Sequence, residues 1–140
     1  MVKKARKSGV RWLAVGIESA NPNTRKRLNK GKFTNTQVMD AVRICEDNDI
    51  QIIANYMVGL DGETAADYEC TLSFAKLLNT AFMNVYSYVD YAGKLTNPRS
   101  GKFRNMFFKE YFNNREYLKK INKLFGNKGI KTINKMLEVA

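Results

Sequence analysis

The sequence contains no histidine and only two cysteines among its 140 residues. The absence of histidine excludes the catalytic triads and the zinc sites that depend on an imidazole. Cys45 and Cys70 form no paired motif, so neither a disulfide framework nor a cysteine-based metal site is expected. Cys45 shares its helical spacing with Val38 and Val42, which predicts a buried thiol, whereas Cys70 is predicted to face solvent.

Long apolar runs are also missing. No segment approaches the roughly 20 apolar residues that a membrane-spanning helix needs, and no secretion signal is recognisable. Hydrophobic residues make up 44% of the chain and charged residues 26%, which is ordinary for a globular domain. A cytoplasmic location is therefore expected.

Acidic residues are scarce, with 13 Asp and Glu against 24 Lys and Arg, a formal net charge of +11. Such an excess of positive charge indicates binding to nucleic acid, to an anionic cofactor or to an acidic partner, or it only reflects basic residues in exposed termini. The bases concentrate in residues 3–7 and 119–135, and residues 46–69 hold seven acids and no base. This segregation favours a solvated exterior or an interface for another part of the protein, and argues against a nucleic-acid partner.

Short apolar runs at residues 11–16, 50–58 and 81–89 predict strands, and amphipathic spacing predicts helices after Thr34 or Asn35 and after Thr64. Near-continuous apolar strands that alternate with helices are typical of a parallel sheet with right-handed crossovers. Three such strands alone leave two open edges. We therefore predict an α/β fold in which residues 1–98 form part of a parallel, TIM-like β/α barrel with three strand–helix units.

Residues 99–140 have a different character, with aromatic residues and lysines interleaved. A helix capped by Asn113 or Asn114 is predicted, with a break at Gly126 and Gly129 and a last amphipathic helix after it. We expect this helical extension to pack on the outside of the barrel. Because Met1 falls within the helix before the first strand, the preceding barrel units are expected to be missing from the chain.

In parallel β/α folds, ligands bind at the carboxyl ends of the strands. The first strand ends at Glu18 and Ser19, a carboxylate and a hydroxyl that suit the hydroxyl groups of a ribose. Alternatively, Glu18 is simply an ion-pair partner of Arg25 or Lys26. Asn55 is a polar residue in an apolar strand, so it is expected at the barrel mouth or interior, or as a satisfied buried amide.

The second strand ends in the turn 59–64. Gly59 and Gly62 flank Leu60 and Asp61, so the backbone can approach a flat ligand without obstruction by a Cβ atom. Glu63 and Thr64 lie at the start of the next helix, where a carboxylate and a capping hydroxyl are favoured. The alternative interpretation is a loop that only caps the helix.

Three segments in this order, Gly-Ile-Glu-Ser at 16–19, Leu-Asn-Lys-Gly at 28–31 and residues 53–64, together resemble the radical S-adenosylmethionine superfamily. The likeness is to the second half of its barrel, and it is greatest to members that also carry a cobalamin-binding domain. Residues 71–79 and 109–118 are similar to the helix and the helical extension that follow in those enzymes.

The resemblance implies an S-adenosylmethionine site that is shared across a whole barrel. In the family, a Cys-x3-Cys-x2-Cys loop holds a [4Fe–4S] cluster, and cleavage of S-adenosylmethionine gives a 5′-deoxyadenosyl radical. By likeness, Glu18 and Ser19 contact the ribose or the methionine part, and the third strand adds contacts near Tyr86 and Tyr88. The residues that would shape the adenine side, with Asn55 nearby, are Gly59, Leu60, Gly62 and Glu63.

Two departures from the family pattern stand out. The cysteine triad is absent, so this chain alone is not expected to ligate the cluster. In the turn after the second strand, Asp61 stands where the family often has proline. The loop after the third strand, at 91–95, lacks both of the prolines that are usual there, and we expect this loop, which lies near the substrate in the family, to be more mobile.

The sequence thus predicts the carboxyl-terminal part of a radical S-adenosylmethionine enzyme, with radical chemistry or methyl transfer in the full-length protein. Cobalamin is a possible further cofactor, and the missing half of the barrel is the expected partner. The alternatives are a basic, non-catalytic binding module for nucleic acid or protein, and an inactive remnant. The substrate, small molecule or macromolecule, is left open.

Overall fold

The computed structural model describes residues 1–90 and 92–139. Its sheet contains three parallel strands in the order β1 (Trp12–Glu18), β2 (Gln51–Val58) and β3 (Phe82–Ser87). The helices are α1 (Val2–Lys7), α2 (Pro22–Arg27), α3 (Asn35–Glu46), α4 (Ala65–Leu78), α5 (Ser100–Phe112) and α6 (Arg115–Glu138). The predicted α/β class is confirmed, and the alternation of strands and helices is that of a partial TIM-like barrel.

Local sequence explains where the two long crossover helices begin. Thr34 rather than Asn35 caps α3, and Thr64 caps α4, each through a reciprocal capping box with the residue three positions later. Asn79 ends α4 in the left-handed conformation, which asparagine tolerates. Of the predicted strands, β1 extends two residues further than expected and β3 is shorter at both ends.

The central strand β2 has one covered face and one open face. Ile52, Ala54, Tyr56 and Val58 are buried, whereas the residues between them are partly exposed. Helix α3 packs over the buried face beside β1, and the Phe107 ring of α5 lies 5.3 Å from that of Tyr56. Helices therefore cover one face of this apolar strand, and they leave open the other face, which corresponds to the interior side of a barrel.

The extension is attached to the amino-terminal ends of the strands by side chains that bind the backbone before β3. Tyr111 donates a hydrogen bond to the carbonyl of Thr80 at 2.7 Å, and Tyr117 donates one to that of Ala81 at 3.1 Å. Gly126 breaks the helical path of α6 with φ 62° and ψ −161°, as predicted, whereas Gly129 remains helical. The extension thus packs on the sheet through hydroxyl groups as well as aromatic rings.

The two cysteines lie on different helices and differ in exposure. Cys70 is exposed as predicted, and Cys45 is half-buried, where burial raises the pKa of its thiol. Within residues 1–90 and 92–139, none of the helices combines the length and the apolar character that crossing a membrane requires.

Strand β1 is an apolar edge of the described sheet. Trp12 is 42% exposed, and Leu13 and Val15 are each 38% exposed. An open, apolar edge strand is a template for pairing with another strand. The edge therefore has the properties of a surface that a further strand would cover.

We expect Leu13→Lys to reduce self-association of the isolated chain, because a charge on an open edge opposes strand pairing. Sedimentation velocity at several concentrations measures the effect. Leu124→Lys is the matched control, since Leu124 is also 38% exposed but lies on α6. Equal effects of the two substitutions would contradict a special role of the β1 edge.

Candidate functional site

A row of aligned residues crosses the open face of the sheet about midway along the strands. Gly16 of β1 pairs with Asn55 of β2, and Asn55 pairs with Asn84 of β3. Paired residues of neighbouring strands point to the same face, and Asn84 Nδ2 donates to Asn55 Oδ1 at 2.9 Å. Asn55 therefore lies on the open face of the sheet, with Asn84 as a partner that the sequence interpretation missed. Its contact with a cofactor stays a prediction.

An ion pair lies above the β1 end of this row. The Glu18 carboxylate, in a residue only 5% exposed, binds the Nζ atom of Lys30. A Cβ atom on Gly16 would lie 2.5 Å from Glu18 Oε1 and 2.9 Å from Lys30 Nζ, so glycine leaves the space that the pair occupies. Neither Arg25 nor Lys26, the partners considered from sequence, pairs with Glu18: the partner lies in the 28–31 segment instead.

Arg25 fixes the segment that carries Lys30. Its guanidinium group is fully buried and donates to the carbonyl of Ser19 at 2.8 Å and to Asn35 Oδ1 at 2.6 Å. It also stacks over the ring of Phe33, with 5.1 Å between its Cζ atom and the ring centroid. Burial lowers the pKa of Arg25. The loop between α2 and α3 is thereby held against the end of β1.

Ser19 is directed into the protein rather than over the open face. Its residue is fully buried, its Oγ atom lies 3.2 Å from Thr71 Oγ1, and it accepts a hydrogen bond from the backbone of Asn21. The hydroxyl thus joins the end of β1 to α4. Its predicted contact with a ribose or a methionine stays a prediction, and the internal partners favour a supporting role.

Glu63 organises the turn that follows β2. Its Oε2 atom accepts the backbone N–H groups of Gly59 and Leu60, each at 3.0 Å. Burial raises the pKa of the Glu63 carboxyl against the lowering effect of these two hydrogen bonds. Because those N–H groups are already bonded, a flat ligand would meet the plane of the Gly59–Leu60 peptide rather than its donors. The two hydrogen bonds of Glu63 therefore fix the backbone of the turn.

Gly62 makes room for a second basic group at the same end of the sheet. A Cβ atom there would lie 2.8 Å from Arg27 Nη1, and Arg27 Nη2 donates to Thr24 Oγ1 at 3.2 Å. Between the loops is a cavity of about 190 Å³. The side chains that line it are those of Thr24, Arg27, Leu28, Leu60, Asp61 and Tyr88.

The two tyrosines predicted from the third strand lie in different surroundings. Tyr88 lines the cavity beside Leu60, and its backbone N–H donates to the carbonyl of Val58 at 2.8 Å. Tyr86 is 52% exposed on the open face, in register with Met57. The structure thus brings Tyr88 to the glycine turn, while Tyr86 lines a second cavity together with Val139, next to the end of α6.

The loop predicted to be mobile carries its own hydrogen bonds. Asp90 Oδ1 accepts the backbone N–H groups of Ala92 and Lys94, each at 2.9 Å. Tyr91, the first residue of the motif compared with the family, lies outside the described residues. The greater mobility expected from the loss of prolines stays a prediction.

The cysteines do not fit a [4Fe–4S] cluster. Cys45 lies on α3 and Cys70 on α4, and such a cluster needs at least three cysteine thiolates in one loop or site. In the described part of the chain, no three His, Cys, Asp or Glu side chains are grouped so that they could hold a metal. No step can therefore be assigned to a cluster on these residues.

Comparison with known proteins relates the chain to one family and to a curated relative. The family model of the radical SAM superfamily matches residues 1–75, more than half of the chain. An uncharacterized methyltransferase of Pyrococcus horikoshii is 28% identical over 93 residues, which cover 66% of this chain and 20% of the relative. The chain therefore spans about a fifth of the length of that curated relative.

We expect Glu63→Gln to change the pH dependence of stability. Because the pKa of Glu63 is raised in the folded state, the carboxyl stabilises the fold most below its unfolded pKa of about 4.3, and this contribution is lost as pH rises through the folded pKa. Urea unfolding at pH 5 and pH 7 measures this effect. The decrease in the free energy of unfolding from pH 5 to pH 7 should be smaller in the variant than in the wild type. Glu69→Gln, an exposed carboxyl on α4, is the control, and an unchanged pH profile in Glu63→Gln would contradict the effect of burial.

Proposed function

The chain belongs to the radical S-adenosylmethionine superfamily, and we propose that it forms the nucleoside side of the S-adenosylmethionine pocket in a longer iron–sulfur enzyme. The observation that carries the proposal is the ion pair of Glu18 and Lys30 above Gly16. A buried carboxylate accepts charge-assisted hydrogen bonds from the hydroxyl groups of a ribose. Lys30, whose side chain is 47% exposed, offers donors to an anionic group such as the carboxylate of the methionine.

Two further features support a flat, nitrogen-rich ligand beside this pair. The amides of Asn55 and Asn84 lie in the same row on the open face, and amides donate and accept in the plane of a heterocycle. The peptide of Gly59 and Leu60 is held rigid by Glu63, so its plane is already in position for a flat ligand. In this proposal, the chain binds and orients the nucleoside and excludes water from it.

We infer that the cluster ligands come from a segment outside these 140 residues. When bound to a [4Fe–4S] cluster, S-adenosylmethionine supplies radical or methyl-transfer chemistry. The open β1 edge supports pairing with a strand of that segment, and the chain alone is then inactive. The name of the Pyrococcus relative favours methyl transfer, while cobalamin use and a cytoplasmic location stay predictions.

The enzymatic part of the proposal is tested in the longer protein. After reconstitution with iron, sulfide and a reductant, we expect reductive cleavage of S-adenosylmethionine, measured by chromatography of the nucleoside products. Absence of cleavage in a protein that demonstrably carries the cluster would contradict an enzymatic role and would fit an inactive remnant.

The nucleoside site is tested by substitution. We expect Glu18→Gln and Lys30→Ala to weaken binding of S-adenosylhomocysteine to that longer protein by about tenfold or more, because each removes a charge-assisted hydrogen bond. Calorimetry measures the affinity. Lys32→Ala is the matched control, since Lys32 is an exposed lysine in the same loop. Wild-type affinity in Lys30→Ala, or an equal loss in Lys32→Ala, would contradict the assigned site.

A second candidate, a basic binding module, is favoured by the charge of the extension. Residues 99–140 contain 11 Lys and Arg and three Glu, which gives +8 of the net +11. Two lysines are neutralised by Glu116 and Glu46, whereas Lys128, Lys131 and Lys135 are exposed on one face of α6. These exposed lysines are the observation on which a polyanion-binding function would rest.

Salt dependence separates the two candidates. If the lysines only cover a solvated helix, we expect negligible binding of duplex DNA or RNA near 150 mM salt, measured by fluorescence anisotropy. Tight binding whose logarithm falls steeply with the logarithm of salt concentration, as several phosphate contacts require, would favour the basic module instead. Replacing Lys128, Lys131 and Lys135 by Gln would then reduce that slope.

A further inference from the structure

The peptide of Gly59 is held from both sides. In the peptide between Gly59 and Leu60, the N–H group of Leu60 donates to Glu63 Oε2 at 3.0 Å, and the carbonyl of Gly59 accepts a hydrogen bond from the hydroxyl of Thr96. Gly59 itself has φ +89°, in the left-handed region that favours glycine. The orientation of this peptide is therefore set by one residue of its own turn and by one residue 37 positions later.

The segment 95–100 reaches Gly59 by a defined path. Leu95 forms an antiparallel bridge with Val89, which turns the chain back from the end of β3. Ser100 then lies against Gly59 so closely that a Cβ atom there would be 2.6 Å from the Cβ atom of Ser100. The segment thus touches the glycine turn through packing as well as through Thr96.

Asn97 anchors the same segment on α4. Its Nδ2 atom donates to the hydroxyl of Tyr68 at 3.3 Å, and its Oδ1 atom accepts the backbone N–H of Arg99 at 2.9 Å. Tyr68 is buried, and its ring centroid lies 4.2 Å from that of Phe103 in α5. Asn97, on one side of Thr96, is therefore fixed to the core, whereas Leu95, on the other side, is 51% exposed and belongs to the loop after β3. Thr96 thus joins an anchored residue to an exposed loop.

We propose that Thr96 is a positioning residue which couples the loop after β3 to the Gly59–Leu60 peptide. Residues 92–95 of this loop are exposed, and a group that moves them displaces Thr96 and hence the carbonyl of Gly59. An effect of this coupling on the binding of a nucleoside rests on the proposed function. The coupling itself is a property of the protein alone.

Amide hydrogen exchange of the 140-residue chain, followed by NMR, tests the coupling. In Thr96→Val, which removes the hydroxyl and preserves the shape, we expect exchange at Gly59 and Leu60 to rise about three- to tenfold relative to the β2 amides. Thr96→Ser should restore the wild-type rates. Thr132→Val is the matched control, because the Thr132 hydroxyl also donates to a backbone carbonyl, that of Lys128, but within α6.

Asn97→Ala provides a second route should Thr96→Val fail to fold. Loss of the Asn97 contacts should also raise exchange at Gly59 and Leu60. Unchanged exchange there in Thr96→Val, or in Asn97→Ala where Thr96→Val does not fold, would overturn the coupling, as would a uniform rise over the whole sheet.

A further arm separates this inference from the proposed function. S-adenosylhomocysteine added to the wild-type longer protein should slow exchange at Gly59 and Leu60, followed there by mass spectrometry. Lack of protection would count against the nucleoside role of the turn but not against the coupling. A normal Gly59 exchange rate in Thr96→Val would overturn the coupling even if the nucleoside protects the turn.

Discussion

The burial of one face of β2 is the constraint on which the rest of the structure depends. Ile52, Ala54, Tyr56 and Val58 are covered, so the intervening residues must point to the other face. Parallel pairing then aligns Gly16 and Asn84 with Asn55 rather than with its buried neighbours. A shift of one residue in this register would move the polar row beneath the helices.

The glycines near these strand ends leave space for side chains of the protein itself. Gly16 leaves space for Glu18 and Lys30, and Gly59 admits Ser100. Gly62 does the same for Arg27. The usual interpretation of such glycines is close approach by a ligand. Here the first consequence is that charged and polar side chains lie directly against the backbone, and a ligand would meet those groups already in position.

The fold was more predictable from sequence than the site. Periodicity and caps are local signals, so the strands, the crossover helices and the kink at Gly126 could be predicted within a few residues. The partners of Glu18 and Asn55 are 12 and 29 positions away, and such pairs depend on register and loop path. Asn84 did offer a signal, because it is a polar residue in an apolar strand as Asn55 is. For Lys30, the signal was its position in the segment 28–31, which resembles the family.

Arg25 shows why the site geometry exists before any ligand binds. Removing a guanidinium group from water costs several kcal/mol unless it is well bonded. In the described residues, no acidic side chain lies within salt-bridge distance of Arg25, whose partners are two carbonyls and an amide oxygen. The hydrogen bonds of the buried Arg25 guanidinium to Ser19, Phe33 and Asn35 hold the loop that bears Lys30 against the end of β1. The ordering of that loop therefore occurs on folding, which lowers the conformational entropy that the protein would lose when a ligand binds.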